Sequence, residues 1–266
     1  MTGGFGGNGI AIQKTDRWGE SSTAAAEKAE VIIKGDVSVK GADNQTWGIG
    51  ANPTNVISRF NNAGIFVDVN NSKVNVNGNV DMDVYGNGVT VIGENSTVTI
   101  AKGGSITVPT GTNYGYYALA AYDKGTINMN ANGDANTVKL DGDIFATKGS
   151  TINLGLATTD SYLNGIIDNG GTANIKIKNG AKWNNVANNR RYTQDNEDKG
   201  DDERSHVSLL KGGTNFDEAG TIVQNANSKL LYIGKLDGTV KVNYECDVLD
   251  KNIENNLDII LLYSLD

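Results

Sequence analysis

The stretches NNSKVNV (70–76), ENSTVTI (94–100), DKGTINM (123–129), TKGSTINL (147–154) and GGTANIKI (170–177) repeat one short phrase with drift. Each has a polar or glycine turn, then small and β-branched residues, then apolar and polar residues in alternation. A repeat every 20–50 residues is typical of stacked supersecondary units. This recurrence therefore decides the fold class.

Alternation with a period of two places the apolar residues of each phrase on one face of a β-strand. The first apolar column is Val74, Val98, Ile127, Ile152 and Ile175, and the second is Val76, Ile100, Met129, Leu154 and Ile177. The residues between them are predicted to face outward as a polar ladder of Asn75, Thr99, Asn128, Asn153 and Lys176. Stacking of the repeats would make both apolar columns continuous.

Further strand-like segments lie between the phrases. One of them alternates, with Asp81 and Asp83 predicted to face outward between Val80, Met82 and Val84. Other apolar segments lie just before the repeated turns, at 65–69, 89–92, 119–121 and 144–146. A unit of about 24 residues is too short for a βαβ unit of about 30. We therefore predict an all-β, right-handed, single-stranded parallel β-helix with about three short strands per rung. Ten or so rungs at about 4.8 Å each would give a rod about 50 Å long.

The chain divides by the regularity of this pattern. Residues 1–62 are predicted to form irregular first rungs or a cap, with a helical stretch at 21–30 and an enlarged loop at 41–62. Residues 63–187 are predicted as the regular rungs, and residues 205–266 as C-terminal rungs that include Cys246 as a buried apolar residue. Residues 188–204 form a charged loop insertion, because they combine high charge with low hydrophobicity.

Composition limits the partners. The 266 residues carry a net charge of −8 and a pI near 4.7, which argues against nucleic acid because nucleic-acid binding needs a basic surface. The start of the sequence, TGGFGG after Met1, does not read as a signal peptide, and no apolar run reaches the 18 residues of a membrane span. We expect both ends to be the edges of a segment of a longer protein.

The C-terminal third resembles the passenger domains of pertactin-type autotransporters. The phrases GGTANIKIKNGAKW (170–183), SHVSLLKGG (205–213) and LLYIGKLDGTVKV (230–242) occur in the order found in that family. The resemblance implies a right-handed β-helix at the surface of a Gram-negative bacterium, exported through the periplasm and linked to the outer membrane by a C-terminal β-barrel. It also implies that residues 205–242 help folding to begin during secretion.

Catalytic and metal-binding chemistry are weakly supported by the sequence. Asp81 and Asp83, or Asp141 and Asp143, are spaced about 7 Å apart along a strand, which would suit a carboxylate pair of an inverting glycosidase. The Gly-His-Gly and Arg-x-Lys motifs of the β-helical polygalacturonases are absent, however, and His206 has no nucleophile motif beside it. We therefore expect no enzyme, no cofactor and no metal. Weak Ca²⁺ binding by the six carboxylates of 195–203 is an open alternative.

The expected function is adhesion to a protein or glycan on a host or bacterial surface, and side-by-side self-association is one form of it. The alternatives are a stalk that binds nothing and a carbohydrate-active enzyme. Loops that break a solenoid are expected contact points. The candidate binding residues are those of the charged loop: Arg190, Arg191, Tyr192, Asp195, Glu197, Asp198, Asp201, Asp202 and Glu203. Tyrosines 114, 116, 117 and 122 are predicted to form stacked rings that line or flank the rungs, and an aromatic recognition patch is the alternative.

Overall fold

The computed structural model describes residues 8–13, 28–41, 63–109, 116–187 and 204–245. Within these ranges every regular element is a β-strand, and all pairings between the 22 strands are parallel. The strands form three sheets. The predicted all-β parallel architecture is therefore confirmed.

The three sheets are described here in spatial order. Sheet 1 contains β1 (Ile10–Ile12), β4 (Ile65–Val67), β7 (Val89–Val91), β10 (Tyr117–Ala121), β13 (Asp143–Ala146) and β16 (Ile167–Asn169). Sheet 2 contains β2 (Glu30–Ile33), β5 (Lys73–Val76), β8 (Thr97–Ile100), β11 (Thr126–Met129), β14 (Thr151–Leu156), β17 (Thr172–Ile177), β19 (Arg204–Lys211) and β21 (Leu230–Asp237). Sheet 3 contains β3 (Val37–Lys40), β6 (Val80–Asp83), β9 (Gly104–Thr107), β12 (Val138–Asp141), β15 (Tyr162–Asn164), β18 (Lys182–Asn184), β20 (Gly220–Asn225) and β22 (Val240–Glu245).

The chain visits sheets 1, 2 and 3 in turn for six rungs, and each strand that is not at the end of its sheet pairs with the strands one rung earlier and one rung later. This is a parallel β-helix with about three strands per rung. Eight rungs lie in the described residues, the last two represented there by strands of sheets 2 and 3. Seven spacings of about 4.8 Å make this part about 34 Å long, so the expectation of ten rungs is not reached within it. The right-handed winding stays a prediction.

The first complete rung lies inside the segment predicted to be irregular. Strands β1, β2 and β3 pair in register with β4, β5 and β6 of the next rung. Glu30, the last residue of the predicted helical stretch, begins β2. The remaining predictions for 14–27, for most of 41–62 and for Cys246 and the chain beyond it lie outside the described residues.

The apolar columns predicted from the repeats form the core. Val74, Val98, Ile127 and Ile152 occupy one register position on four consecutive rungs, and all four are fully buried. Val76, Ile100, Met129 and Leu154 form the second column. Burying a Val, Ile, Leu or Met side chain contributes about 1.5–3 kcal/mol, so these columns supply much of the stability of the rungs.

The alignment of the fifth repeat was wrong by two residues. Ile152 pairs with Ala173, not with Ile175, and Asn153 pairs with Asn174, not with Lys176. A shift of two residues preserves which side chains face inward, so alternation alone does not detect it. The larger isoleucines favoured the wrong alignment, whereas the recurrent Thr-x-Asn of TINM, TINL and TANI carried the correct one.

Sheet 1 is buried on both faces from its second strand, β4, onward, whereas Ala11 of β1 is exposed. Its outward positions include Phe66, Thr90, Ala120 and Phe145, all less than 9% exposed. Strands buried on both sides are expected to be continuous apolar runs instead of alternating ones. This explains why the segments before each repeated turn lack the alternation seen in sheets 2 and 3.

The recurrent turn before sheet 2 needs a left-handed backbone. The residue two positions before the first strand residue has a positive φ in four rungs: 56° at Asn71, 55° at Asn95, 67° at Lys124 and 85° at Gly149. Gly and Asn adopt this conformation most readily. The Asn and Gly content of the repeated phrase therefore has a backbone cause.

Buried serines at this turn fasten one rung to the next. The Ser72 Oγ accepts the Ala29 N–H at 3.0 Å, and the Ser96 Oγ accepts the Ser72 N–H at 2.9 Å. The Ser96 hydroxyl also donates to the Val69 carbonyl at 2.6 Å. These side chains satisfy backbone groups that lie outside the strand ladders, as buried backbone groups require.

We expect Ser96→Ala to lower the free energy of unfolding by about 1–3 kcal/mol, because it leaves a buried N–H and a buried carbonyl without this partner. Ser105→Ala is the matched control, since the Ser105 hydroxyl only donates to the exposed Asp81 carboxylate at 2.6 Å. It should change stability by less than about 0.5 kcal/mol. Denaturant unfolding measures both, and equal effects would contradict the role assigned to Ser96.

Candidate binding face

The outer side of sheet 2 carries a column of threonines. Thr97, Thr126, Thr151 and Thr172 occupy one register position on four consecutive rungs. All four are half-buried, and among the described residues none of their hydroxyls has a hydrogen-bond partner. Rung stacking spaces them about 4.8 Å apart. The result is a straight row of hydroxyl groups available to a ligand.

A column of amides lies two residues further along the same strands. The Asn128 Nδ2 donates to the Thr99 Oγ1 at 3.4 Å, the Asn153 Nδ2 to the Asn128 Oδ1 at 2.8 Å, and the Asn174 Nδ2 to the Asn153 Oδ1 at 2.9 Å. Each bond in this ladder uses one of an amide's two N–H groups. Among the described residues, the second N–H of Asn128, Asn153 and Asn174 has no partner.

We call these two columns together the polar face. It consists of Thr97, Thr99, Thr126, Asn128, Thr151, Asn153, Thr172 and Asn174. No member carries a charge, although the chain has a net charge of −8. The columns lie about 7 Å apart by strand geometry, so the face is a regular grid of neutral donors and acceptors.

Lys176, predicted as a member of the outward ladder, lies beside this face instead. It pairs with Gly155 on one side and with Lys211 on the other. Burial lowers the pKa of Lys176, and the nearby ammonium groups of Lys211 and Lys178 lower it further, while Asp134 opposes them. Charge therefore begins at the margin of the polar face.

The charged loop predicted to bind a partner is described only at its last residue. Its candidate residues Arg190, Arg191, Tyr192, Asp195, Glu197, Asp198, Asp201, Asp202 and Glu203 lie outside the described residues. The predicted loop also included Arg204, which the structure places as the first residue of β19. His206, two residues later, is exposed as expected, with its ring 5.9 Å from that of Tyr232.

Of the two predicted aspartate pairs, one lies on a single strand face and the other is divided between two sheets. Asp81 and Asp83 both face outward from β6 and are exposed, as expected. Asp141 and Asp143 are not a pair, because Asp141 ends β12 in sheet 3 and Asp143 begins β13 in sheet 1. Gly142, with a φ of 155°, lies at the corner between them. Asp143 is 3% exposed, and its Oδ1 accepts the Ile166 N–H at 2.9 Å, which is a structural role.

Asp141 organises a second polar ladder on sheet 3. Its carboxylate accepts hydrogen bonds from the Tyr162 hydroxyl at 2.8 Å and from the Asn164 Nδ2 at 2.7 Å. The Asn164 Oδ1 in turn accepts from the Asn184 Nδ2. Burial, the hydrogen bond to Asp141 and the Asp141 charge, in decreasing order of size, together raise the pKa of Tyr162 to about 12.

Aromatic rings cluster on the outer side of sheet 1. The ring of Tyr117 stacks on Phe145 at 4.9 Å between centroids, and Tyr122 is tilted against Phe145 at 5.2 Å. The prediction of a stacked ring flanking the rungs is confirmed for Tyr117, whereas Tyr122 flanks the rungs with its ring tilted at 52° to Phe145. Tyr116 instead packs against the main core, and Tyr114 lies outside the described residues.

The part of the chain that the structure describes contains no group of three His, Cys, Asp or Glu side chains arranged to hold a metal ion. The same ranges contain no helix long and apolar enough to cross a membrane. A scan against protein-family models, a search of curated proteins and a search of solved structures each find no match. The resemblance to autotransporter passengers therefore stays a prediction.

We expect Tyr162 to ionise near pH 12 in the folded protein, against about 10 for an unfolded chain. Below pH 10 the Tyr162 hydroxyl keeps its proton in both the folded and the unfolded state. Between pH 10 and 12 only the unfolded state loses this proton, so the free energy of unfolding should fall across this window. The difference in tyrosinate absorbance between the unmodified protein and Tyr162→Phe reports this group alone.

The same difference titration in an Asp141→Asn background should show a lower Tyr162 pKa. The shift should be partial, because burial is the largest cause and is retained. Lys139→Asn, at the other outward position of the same strand, is the control and should leave the titration near 12. Ionisation near 10 in the unmodified protein would contradict the hydrogen bond to Asp141.

Proposed function

We propose that this chain is an adhesive segment of a bacterial cell-surface protein, exported to the outer membrane, which binds a host or bacterial surface through the polar face. The observation that carries the proposal is the threonine column, whose four hydroxyls are aligned in register and unused within the described protein. A stalk that binds nothing has no need for such a row.

The regularity of the polar face favours adhesion to a repeating or extended partner. Identical groups on successive rungs present the same contact several times, and linked weak contacts gain strength through high effective concentration. Solenoids commonly bind through such extended surfaces. A catalytic centre, by contrast, needs a few different groups that converge in a concave site. The polar face instead repeats the same hydroxyl and amide groups along the surface of a sheet.

Two alternatives follow from different observations. A stalk is favoured by the uniform stacking of the rungs, because a uniform stack can serve as a spacer that holds the two ends of the β-helix apart. A carbohydrate-active enzyme would use Asp81 and Asp83, which lie on the outer face of β6. Lys40 on the neighbouring strand β3 is paired in register with Asp83. The experiment below separates both from adhesion, because neither depends on the threonine hydroxyls.

We expect the double variant Thr126→Val with Thr151→Val to weaken binding about tenfold. Valine keeps the branched shape and removes the hydroxyl, and two neutral hydrogen bonds are each worth about 0.5–1.5 kcal/mol. Binding would be measured to immobilised glycans, matrix proteins, and whole bacterial and epithelial cells. The matched control is Thr107→Val with Thr221→Val, two threonines at outward positions of sheet 3.

Equal binding by the two double variants would exclude the polar face. Deleting residues 189–203, which stops before β19, then tests the charged loop. Loss of binding only on that deletion would assign adhesion to the loop. Loss of binding by the undeleted chain when Ca²⁺ is chelated would then assign a metal role to the loop's carboxylates. Absence of binding to every surface by the unmodified protein would favour the stalk.

A further inference from the structure

The outer side of sheet 3 carries three lysines at intervals of two rungs. From Lys139 onward, one outward register position runs through Tyr162, Lys182, Thr221 and Lys241 on consecutive rungs. We call these five residues the lysine column. Each rung advances about 4.8 Å, so the backbones of successive lysines lie about 9.6 Å apart. The backbone ladder therefore sets the spacing of the three cations.

The charges of these lysines are not neutralised within the described protein. Lys139 and Lys182 make no ion pair and no hydrogen bond among the described residues. The Lys241 ammonium lies over the ring of Phe216, 4.2 Å from its centroid, and such a contact orients a cation but leaves its charge in place. Asp141, two residues after Lys139, already accepts hydrogen bonds from Tyr162 and from an asparagine of the same rung.

The charge of the outer face of sheet 3 changes sign along the β-helix. Before Lys139, the same register position holds Ser105, Asp81 and Ser38. Asp83 lies on the outer face of the same strand as Asp81. The acidic groups are thus concentrated on the early rungs and the lysines on the later ones. In a chain with a net charge of −8, the lysine column is a local cationic surface, which an anionic ligand would find by electrostatic attraction.

An aromatic ring lies between the first two lysines. The Tyr162 hydroxyl donates to the Asp141 carboxylate at 2.8 Å, and Asp141 belongs to the neighbouring outward column, one rung earlier. This bond holds the half-buried Tyr162 ring across the face of the sheet. A tyrosine ring offers apolar area to a ligand while its hydroxyl stays hydrogen-bonded. The column therefore presents a cation, an aromatic ring and a second cation on three successive rungs.

We propose that the lysine column binds a linear polysaccharide that carries one carboxylate on every second sugar. Each sugar of such an extended chain advances it by about the height of one rung. Its carboxylates therefore recur every two rungs and meet Lys139, Lys182 and Lys241 in turn. The uncharged sugar between the first two carboxylates packs on the ring of Tyr162. This is a second binding site, on a different sheet from the polar face, and it does not depend on the adhesive role proposed for that face.

The spacing selects against polymers with denser charge. A polysaccharide with a carboxylate on every sugar would place the additional carboxylates at the rungs of Tyr162 and Thr221, where the column has no cation and Asp141 lies nearby. Like charges at these positions oppose binding. Each exposed lysine contact is weak by itself, and salt weakens it further. Three contacts along one chain act together through their effective concentration.

The first test is the length and charge pattern of the ligand. Hyaluronan oligosaccharides, which alternate glucuronate with N-acetylglucosamine, would be titrated into the 266-residue chain by calorimetry at physiological ionic strength. Affinity should rise steeply up to the hexasaccharide, which supplies a carboxylate for each lysine, and little beyond it. Polygalacturonate of equal length should bind more weakly, and neutral chitin oligosaccharides should not bind. Absence of hyaluronan binding, or tighter binding of polygalacturonate, would overturn the proposal.

The second test removes the cations. The triple variant Lys139→Gln, Lys182→Gln and Lys241→Gln should weaken hexasaccharide binding about tenfold or more, because each exposed ion pair is worth up to about fivefold in affinity. The control changes the net charge by the same amount at three exposed lysines outside sheet 3: Lys73→Gln, Lys148→Gln and Lys235→Gln. Equal losses in the two triple variants would mean that net charge alone drives binding, which contradicts a site at the lysine column.

The third test changes the spacing without changing the charge. Lys182→Gln combined with Thr221→Lys moves the middle cation by one rung, from register with Tyr162 to register with Lys241. Hexasaccharide binding should fall by about two- to fivefold, as for Lys182→Gln alone. Undiminished binding would show that the two-rung spacing is not read, and would overturn the proposal. Thermal unfolding verifies that each variant is folded.

The two proposed sites are separated by one further variant. Thr126→Val with Thr151→Val lies on sheet 2 and should leave hexasaccharide binding unchanged. Loss of hexasaccharide binding in this variant would place the acidic polysaccharide on the polar face and overturn the site at the lysine column. Retained binding supports that site, whether or not the polar face proves adhesive.

Discussion

Within the described residues, every strand except those at the ends of the three sheets is held by backbone hydrogen bonds to the strands one rung before and one rung after it. This ladder sets both the spacing of about 4.8 Å and the register. Once the register of one rung is set, the next rung places its side chains directly above. The apolar columns, the buried serines and the polar face are all consequences of that single constraint.

The same ladder has different results on the three sheets. In sheet 1 both faces are covered, and Tyr117 and Phe145 pack on its outer side. Sheet 3 builds a ladder around the charge of Asp141. Only sheet 2 stacks neutral hydroxyls and amides over four rungs, and its threonine hydroxyls are not consumed by the described protein. The proposed binding function therefore rests on the sheet whose outer hydroxyls make no hydrogen bond among the described residues.

Sequence reasoning worked where the inward and outward pattern was decisive. The columns through Val74, Val98, Ile127 and Ile152 follow from alternation and turn residues, both local properties. It failed at Ile175, because a two-residue shift keeps the same pattern and the pairing energy comes from a strand about 20 residues away. Asp141 and Asp143 were misjudged for a related reason: a corner at Gly142 separates residues that alternation would place on one face.

The sequence by itself determined that this protein is a stack of parallel β rungs, because period-two alternation and left-handed turn residues act within a few residues of each other. Only the tertiary structure decided which side chains of different rungs share a column, since that register depends on hydrogen bonds between strands far apart in the chain. The polar face exists only in that register.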